Sequence, residues 1–132
     1  MSAAVSEAQR GFSAILGGSF DPIHLGHLHV ASQILQSPEI ERLIFMPVRH
    51  HHFKTGSIIA GFETRLRLIR SCLQDGMEAW DTDGSGSGYS ADLMRKLQNL
   101  YPEMDFLFVI GADNLPTLTA WYDFEWLRYN VQ

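Results

Sequence analysis

"GGSFDPIHLGHL", residues 17–28, contains three glycines, one proline and two histidines within twelve positions. An apolar run, 12–16, comes directly before it, and apolar residues at helical spacing follow in 27–35. This order predicts a buried strand, a tight turn and a helix N-terminus. Gly17 and Gly18 let the backbone turn sharply and let a ligand come close. The stretch is therefore a candidate binding site as well as the start of a fold.

Strand-like and helix-like segments alternate along the chain. The predicted strands are 12–16, 42–48, 78–81 and 105–110, and the predicted helices are 27–35, 62–73, 90–100 and 123–129. Because the strands are apolar throughout, they indicate a parallel sheet covered on both faces by helices. This is a doubly wound α/β sheet. Its ligands bind beyond the carboxyl ends of the strands, where the strand order reverses.

The chain is predicted to form one domain. Residues 1–11 are expected to be a flexible leader, because the first nine are small and polar and lack the apolar core of a secretory signal. The domain occupies 12–132, and Ser90 is a candidate N-cap for the third helix. Since "WLRYNVQ" follows without another strand and helix, we expect the domain to be incomplete at its C-terminus, and the chain to be a fragment.

Charge and composition exclude some classes of protein. The formal net charge of −5 argues against nucleic acid as the main partner, because nucleic-acid-binding domains are usually basic. No apolar run approaches the ~20 residues that span a bilayer. Six of the ten basic residues lie between Arg42 and Arg70, which favours local binding of a small polyanion. The single cysteine, Cys72, excludes an intramolecular disulfide.

His24 and His27 are the most informative residues of the opening stretch. A plain turn from strand to helix explains the glycines but not two histidines three positions apart. Two imidazoles at a helix N-terminus can donate N–H bonds to one phosphate, and Gly26 between them leaves room for the ligand. Zinc is the rival interpretation, but zinc-binding pairs usually have helical i, i+4 spacing and a third ligand. No third ligand is obvious, and no metal site is predicted.

With these residues in view, "GGSFDPIHLGHL" resembles the signature of the adenylyl- and cytidylyltransferase superfamily. That signature is a Gly-[Ser/Thr]-Phe-Asp-Pro stretch followed by (His/Thr)-x-Gly-His, and it is highly specific. The resemblance implies a Rossmann-like fold, a nucleoside triphosphate substrate and Mg²⁺. It also implies direct attack of a phosphate on the α-phosphorus, with release of pyrophosphate and no covalent enzyme intermediate.

Two later segments narrow the resemblance. In "FVIGADNLPTLTAWYDFEWL", residues 108–127, a strand ends in Gly111-x-Asp113 and leads to Trp121. This is similar to the nicotinate-mononucleotide adenylyltransferases. "GYSADLM", residues 88–94, is similar to the Ser-Tyr-Thr-x-Asp-Thr-Leu segment of that branch. The likeness covers nearly the whole chain.

The resemblance implies a role for each matching residue. The implied catalytic residues are His24, His27 and Lys54; the nucleotide-binding residues are Gly17, Gly18, Ser19, Phe20, Gly26, Gly111 and Asp113; the acceptor-binding residues are Tyr89, Ser90 and Trp121. Arg65 falls where that branch has an arginine opening the helix after its lysine loop. No residue is assigned to a metal.

Some of these roles have alternatives. Trp121 is flat enough to stack on a pyridine ring, but it is also a candidate core residue. Asp113 is placed to accept ribose hydroxyls or to cap the turn that follows it. Lys54 is placed to neutralise the β- and γ-phosphates, but it follows "HHHF" at 50–53 where the family has Pro-Pro-His. The loop geometry around Lys54 is therefore expected to differ from that of the family.

The expected function is transfer of AMP from ATP to nicotinate mononucleotide, which gives deamido-NAD and pyrophosphate for NAD biosynthesis. Mg²⁺ accompanies ATP, and a cytoplasmic location without a membrane or nucleic-acid partner is expected. Pantetheine-phosphate adenylyltransferase, nicotinamide-mononucleotide adenylyltransferase and a non-catalytic nucleotide-binding module remain open alternatives, and so does a homo-oligomer. Because the family's C-terminal triphosphate-binding segment has no match, we expect the 132-residue chain alone to be feeble.

Overall fold

The computed structural model describes residues 11–49, 59–85 and 89–132, with the backbone alone for 84, 85, 112 and 113. The strands are β1 (Phe12–Gly18), β2 (Ile40–Pro47), β3 (Met77–Ala79) and β4 (Phe106–Val109). The α-helices are α1 (Leu25–Leu35), α2 (Phe62–Ser71), α3 (Ser90–Leu100) and α4 (Phe124–Asn130). Two 3₁₀ helices, Thr82–Ser85 and Ala112–Ala120, lie after β3 and β4. The predicted leader lies almost wholly outside the described residues and stays a prediction.

The four strands form one parallel sheet in the order β3-β2-β1-β4. The chain moves outward from β1 to β3 and then returns to place β4 on the other side of β1. Leu16 of β1 lies beside both Phe45 of β2 and Val109 of β4. The strand order therefore reverses between β1 and β4, and the predicted doubly wound α/β fold is confirmed.

The alternation of side chains along the strands divides the core into two layers. Ala14 and Phe45 pack with α1 and α2 on one face of the sheet. Ile15, Ile44 and Met46 pack with α3 and α4 on the other. These strand residues are fully buried, and each large apolar side chain stabilises the fold by about 1.5–3 kcal/mol. The two layers hold the carboxyl ends of β1 and β4 side by side.

One boundary that differs from the predictions changes the candidate site. α1 begins at Leu25 rather than 27, so His24 is its N-cap and His27 lies in its first turn. α3 occupies 90–100 as predicted, but its N-cap is Tyr89, which makes no side-chain capping bond. The prediction that Ser90 caps α3 is therefore wrong.

β4 lies at an edge of the sheet, as expected from the four-strand count. Its Phe108 N–H donates to the carbonyl of Gln132 at 2.8 Å. In the parts of the chain that the structure describes, no helix combines the length and the apolar character needed to cross a membrane.

Candidate active site

The stretch 17–28 begins at the end of β1, and its turn lies at a different residue from the one predicted. Gly17 and Gly18 are still part of the strand, and the turn comes later, at Phe20, whose φ of 47° is left-handed. A Cβ on Gly18 would lie 3.2 Å from the Phe20 ring. Gly18 therefore makes room for that ring rather than for a sharp backbone turn.

Phe20 turns inward and belongs to the core. Its side chain is 4% exposed, with its ring centroid 5.4 Å from that of Phe45 and 4.9 Å from that of His27, edge to face in both cases. A ring packed in this way has no free face for a nucleotide. The prediction that Phe20 contacts the nucleotide is therefore wrong for its side chain, which packs in the core against the ring of His27.

His24 and His27 cap α1 reciprocally. The Gly26 N–H donates to His24 Nδ1 at 3.1 Å, and the His24 N–H donates to His27 Nδ1 at 3.0 Å. The two rings stack with centroids 3.7 Å apart and planes 23° from parallel. A Cβ on Gly26 would lie 2.9 Å from His24 Cε1. The position of the His24 ring thus requires a glycine at 26, whether or not a ligand also needs the space.

These bonds assign the ring protons of both histidines. Because each Nδ1 accepts a backbone N–H, the ring proton that each histidine can donate is assigned to Nε2. Burial lowers the pKa of His27 below its ordinary 6.5, and the neighbouring His24 lowers it further. The first turn of α1 contains no acidic residue that would offset the positive end of its dipole. The helix start therefore presents two imidazole donors in an anion-attracting field.

Asp21 joins the motif to the start of α2, a role that sequence reasoning missed. Its carboxylate accepts the N–H groups of Ile59 and Ala60, the latter at 2.9 Å. These two backbone hydrogen bonds hold the pKa of Asp21 below its ordinary 3.8. Asp21 is thus a structural acceptor in the motif, with both carboxylate oxygens engaged.

Arg65 was expected to open the second helix, but its burial was not expected. It lies on the same face of α2 as Phe62, Leu66 and Ile69, and it donates to carbonyls near the end of β1, the end of β2 and the start of α2. Its i+3 spacing from Phe62 on an apolar face was the available sequence signal.

The segment after β4 holds Gly111 and Asp113, which were predicted to bind the nucleotide, and Trp121, which was predicted to bind the acceptor. Gly111 is the N-cap residue of the 3₁₀ helix Ala112–Ala120, in an extended conformation, and the alternative that Asp113 caps the following turn stays a prediction. The side chain of Asp113 lies outside the described residues. Trp121 is half-buried at the margin of the α3 and α4 core, with its ring centroid 6.2 Å from that of Phe108. Its buried Nε1 has no hydrogen-bond partner in the described part of the chain.

Tyr89 and Ser90 stand at the start of α3. The Tyr89 ring stacks on the exposed ring of Tyr122, with centroids 4.7 Å apart. Tyr122 follows Trp121 directly, so this stack places the start of α3 beside the end of the 3₁₀ helix. Tyr122 is not among the predicted site residues, and its exposed ring is found only in the structure.

The predicted residues fall into two groups, one after β1 and the other formed by the segment after β4 together with the start of α3. Ser19, Phe20, Gly26 and the two histidines lie together at the end of β1. A Cβ on Gly17 would touch Phe108, 3.9 Å away, and Phe108 in turn contacts Trp121. Lys54 lies outside the described residues, so its predicted role stays a prediction.

Two other features of the described chain bear on ligands. No group of three His, Cys, Asp or Glu side chains within 11–49, 59–85 and 89–132 lies close enough to hold a metal ion. A groove of about 340 Å³ lies beside β3, between Arg49, Phe62, Asp81 and Lys96, and contains none of the predicted site residues.

Comparison with known proteins shows the family of this chain. A family model described as cytidylyltransferase-like matches residues 15–132. Proteins named "Probable nicotinate-nucleotide adenylyltransferase" from Geobacter sulfurreducens and Symbiobacterium thermophilum are 33% and 34% identical over 86% and 89% of this chain. The matches cover 54% and 59% of those relatives, so this chain spans little more than half of their length.

Solved structures show the same fold. Plasmodium falciparum nicotinic acid mononucleotide adenylyltransferase complexed with NaAD superposes with a TM-score of 0.77 at 23% identity, covering 89% of this chain and 60% of that one. The same protein complexed with APC gives 0.73 at 22% identity, covering 89% and 59%.

Proposed function

Because the chain belongs to the cytidylyltransferase-like family, we propose that it carries the nucleotide-binding part of an adenylyltransferase. The proposed reaction moves AMP from ATP to nicotinate mononucleotide, giving deamido-NAD and pyrophosphate. The names of the curated relatives support this choice of acceptor. The observation that carries the proposal is the reciprocal cap of His24 and His27, in which both Nδ1 atoms accept backbone N–H groups and Nε2 is left as the donor of each ring.

The proposed mechanism is positioning and charge stabilisation. A phosphate oxygen of the acceptor attacks the α-phosphorus, and the bond to pyrophosphate breaks with its electron pair leaving on pyrophosphate. Negative charge shifts onto the phosphate oxygens in the transition state, where preorganised N–H donors act most strongly. His24 and His27 are already held by their backbone caps, so they need no rearrangement as this charge develops.

Roles are also proposed for the other residues of the site. The backbone of Gly17, Gly18 and Ser19 ends β1 beside the capped histidines, where it would line the nucleotide. Lys54 is proposed for the β- and γ-phosphates, Gly111 and Asp113 for the adenosine, and Tyr89, Ser90 and Trp121 for the acceptor. Mg²⁺ is proposed to enter with ATP, because this ion is usually held by substrate phosphates and few protein ligands. A cytoplasmic location is part of the same proposal.

The test is an adenylyl-transfer assay on the full-length natural protein that contains this sequence. Pyrophosphate release is measured with MgATP and, separately, nicotinate mononucleotide, nicotinamide mononucleotide and phosphopantetheine. The proposal predicts the highest kcat/KM with nicotinate mononucleotide. A preference for either other acceptor would replace the substrate assignment, and ATP binding without transfer to any acceptor would establish a non-catalytic module.

A matched set of variants connects the assay to the histidines. Asn places its Oδ1 where His has Nδ1, so His27→Asn keeps the cap but lacks the Nε2–H donor. We expect kcat to fall about 100-fold or more, as for loss of one preorganised donor. His29→Gln, an exposed histidine on the same helix, is the control and should change kcat less than twofold.

A further inference from the structure

Arg65 is the most deeply buried charged side chain described, with 1% of its surface exposed. Arginine is almost never buried so completely without partners for its donors, because removing the charge from water is costly. Burial lowers the pKa of Arg65, and the nearby Asp21 raises it. An arginine on an exposed helix face needs no special explanation, but the buried guanidinium of Arg65 does.

The hydrogen bonds described for Arg65 end on backbone carbonyls from three separate segments. Its Nη1 donates to Ser19 at 2.8 Å and to Val48 at 2.6 Å, and its Nε donates to Ala60 at 2.9 Å. These carbonyls lie just after β1, just after β2 and just before α2. One planar group thus fixes the spacing of three chain segments at the carboxyl end of the sheet.

Asp21, which follows β1, also binds the segment before α2. Its carboxylate accepts the Ala60 N–H, while Arg65 binds the Ala60 carbonyl. Both polar groups of one peptide residue are therefore held by side chains from opposite sides of the junction. The motif residues 19–21 are attached to the start of α2 at Ser19 and at Asp21.

Phe20 lies between Ser19 and Asp21, and its ring packs against the ring of His27, so the position of these two residues determines where the His27 ring is supported. Its left-handed φ directs the ring into the core, where its edge-to-face contact supports the His27 ring at 4.9 Å. Moving the Ser19 carbonyl would move the backbone of Phe20 and hence the ring against which His27 rests.

We propose that Arg65 is a positioning residue: by holding the carbonyls of Ser19, Val48 and Ala60 it sets the place of the Phe20 ring and, through it, of the His27 imidazole. Lysine cannot take this role, because its three donors share one nitrogen, whereas the guanidinium spreads its donors across a rigid fork. The inference rests on the proposed transfer activity for its kinetic test but not for its spectroscopic one.

The kinetic test is a double-mutant cycle between Arg65→Lys and His27→Asn in the full-length protein. We expect Arg65→Lys to lower kcat about 10- to 100-fold, as for small misplacements of catalytic groups, while KM for ATP changes less than threefold. In the Arg65→Lys background His27→Asn should cost less than tenfold, because His27 is already displaced. Arg67→Lys, exposed on the same helix, is the control and should leave kcat unchanged.

If the fold-losses in kcat of Arg65→Lys and His27→Asn simply multiply in the double variant, the two residues act independently and the proposal is overturned. If Arg65→Lys does not fold, Phe20→Leu interrupts the same connection without touching Arg65 and should reproduce the coupling with His27. Absence of that coupling would equally contradict the proposal.

A nitrogen-15 NMR spectrum of the His27 ring tests the proposal without any activity. The wild-type ring should show a single Nε2–H tautomer, and Arg65→Lys, or Phe20→Leu in its place, should shift it toward averaged nitrogen signals. An unchanged spectrum would overturn the proposal. If the wild type fails to transfer AMP to any acceptor, the proposed function fails, and this spectrum still decides whether Arg65 positions His27.

Discussion

The carboxyl ends of β1 and β4 are neighbours in the sheet, but they are held in different ways. After β1, contacts come from distant parts of the chain: Arg65 binds Ser19, Asp21 binds Ala60, and Phe20 packs on Phe45. After β4, the hydrogen bonds described for 111–121 join residues three positions apart.

The difference shows which half of the proposed site the fold itself organises. The β1 end combines a reciprocal cap, a buried aromatic ring and a buried guanidinium. The β4 end presents the half-buried Trp121, whose Nε1 lacks a partner among the described residues, and the exposed Tyr122. The proposed phosphate-binding end is therefore held by long-range hydrogen bonds, whereas the proposed acceptor-binding end is held by local hydrogen bonds and by ring contacts such as that of Tyr89 with Tyr122.

Stability should distinguish the two ends most strongly. Phe20→Ala removes a buried ring that supports His27 and Phe45, and we expect the free energy of unfolding to fall by about 3–5 kcal/mol. Trp121→Ala removes a half-buried ring and should cost about half of that or less. Urea denaturation of both variants measures the difference; equal losses would remove the distinction between the two ends.

Ligand binding should show the opposite dependence. Trp121→Ala should weaken binding of nicotinate mononucleotide about tenfold, because an aromatic platform for the pyridine ring is lost, and should leave ATP binding within about twofold. Calorimetric titration with nicotinate and nicotinamide mononucleotides measures this effect. A loss of ATP binding in its place would assign Trp121 to the nucleotide or to the core.

Acid should weaken the β1 end in two steps. Because the pKa of folded His27 lies below 6.5, the unfolded chain binds a proton that the folded chain does not, and stability falls as the pH drops below 6.5. The pKa of Asp21 is also lowered, so its contribution is present above 3.8 and is lost as the pH falls through its folded pKa.

Urea midpoints between pH 3 and pH 8 measure these two contributions. His27→Asn should flatten the dependence below pH 6.5, and Asp21→Asn should flatten it near the acid end. Curves that stay parallel to that of the wild type would show that these groups do not link folding to protons.

The sequence predicted the alternation of strands and helices because the periodicity of apolar residues is a local property. It also predicted His24 and His27 at a helix start, since glycine and proline mark the turn before them. It did not predict that α1 begins at Leu25, because no Ser, Thr, Asp or Asn occupies the N-cap. Histidine in that place reads as a ligand-binding residue rather than as a cap.

The orientation of individual side chains was beyond sequence reasoning. Phe20 points into the core because of one left-handed φ, and neither its neighbours nor its spacing from 12–16 indicates that torsion. Arg65 is buried among carbonyls of three chain segments, and those of Ser19 and Val48 are 46 and 17 positions away in sequence. Trp121 was open to two interpretations because an aromatic ring serves equally well as core or as platform until its neighbours are known.

The ring-nitrogen spectrum of His24 and His27 in nitrogen-15-labelled protein, recorded with and without MgATP, tests the central claim most directly. If the backbone caps hold both rings ready for phosphate, each histidine shows the Nε2–H tautomer before ATP is added, and ATP shifts both Nε2 signals while leaving Nδ1 nearly unchanged. Rings protonated on Nδ1, or Nε2 signals that ignore saturating ATP, would contradict it.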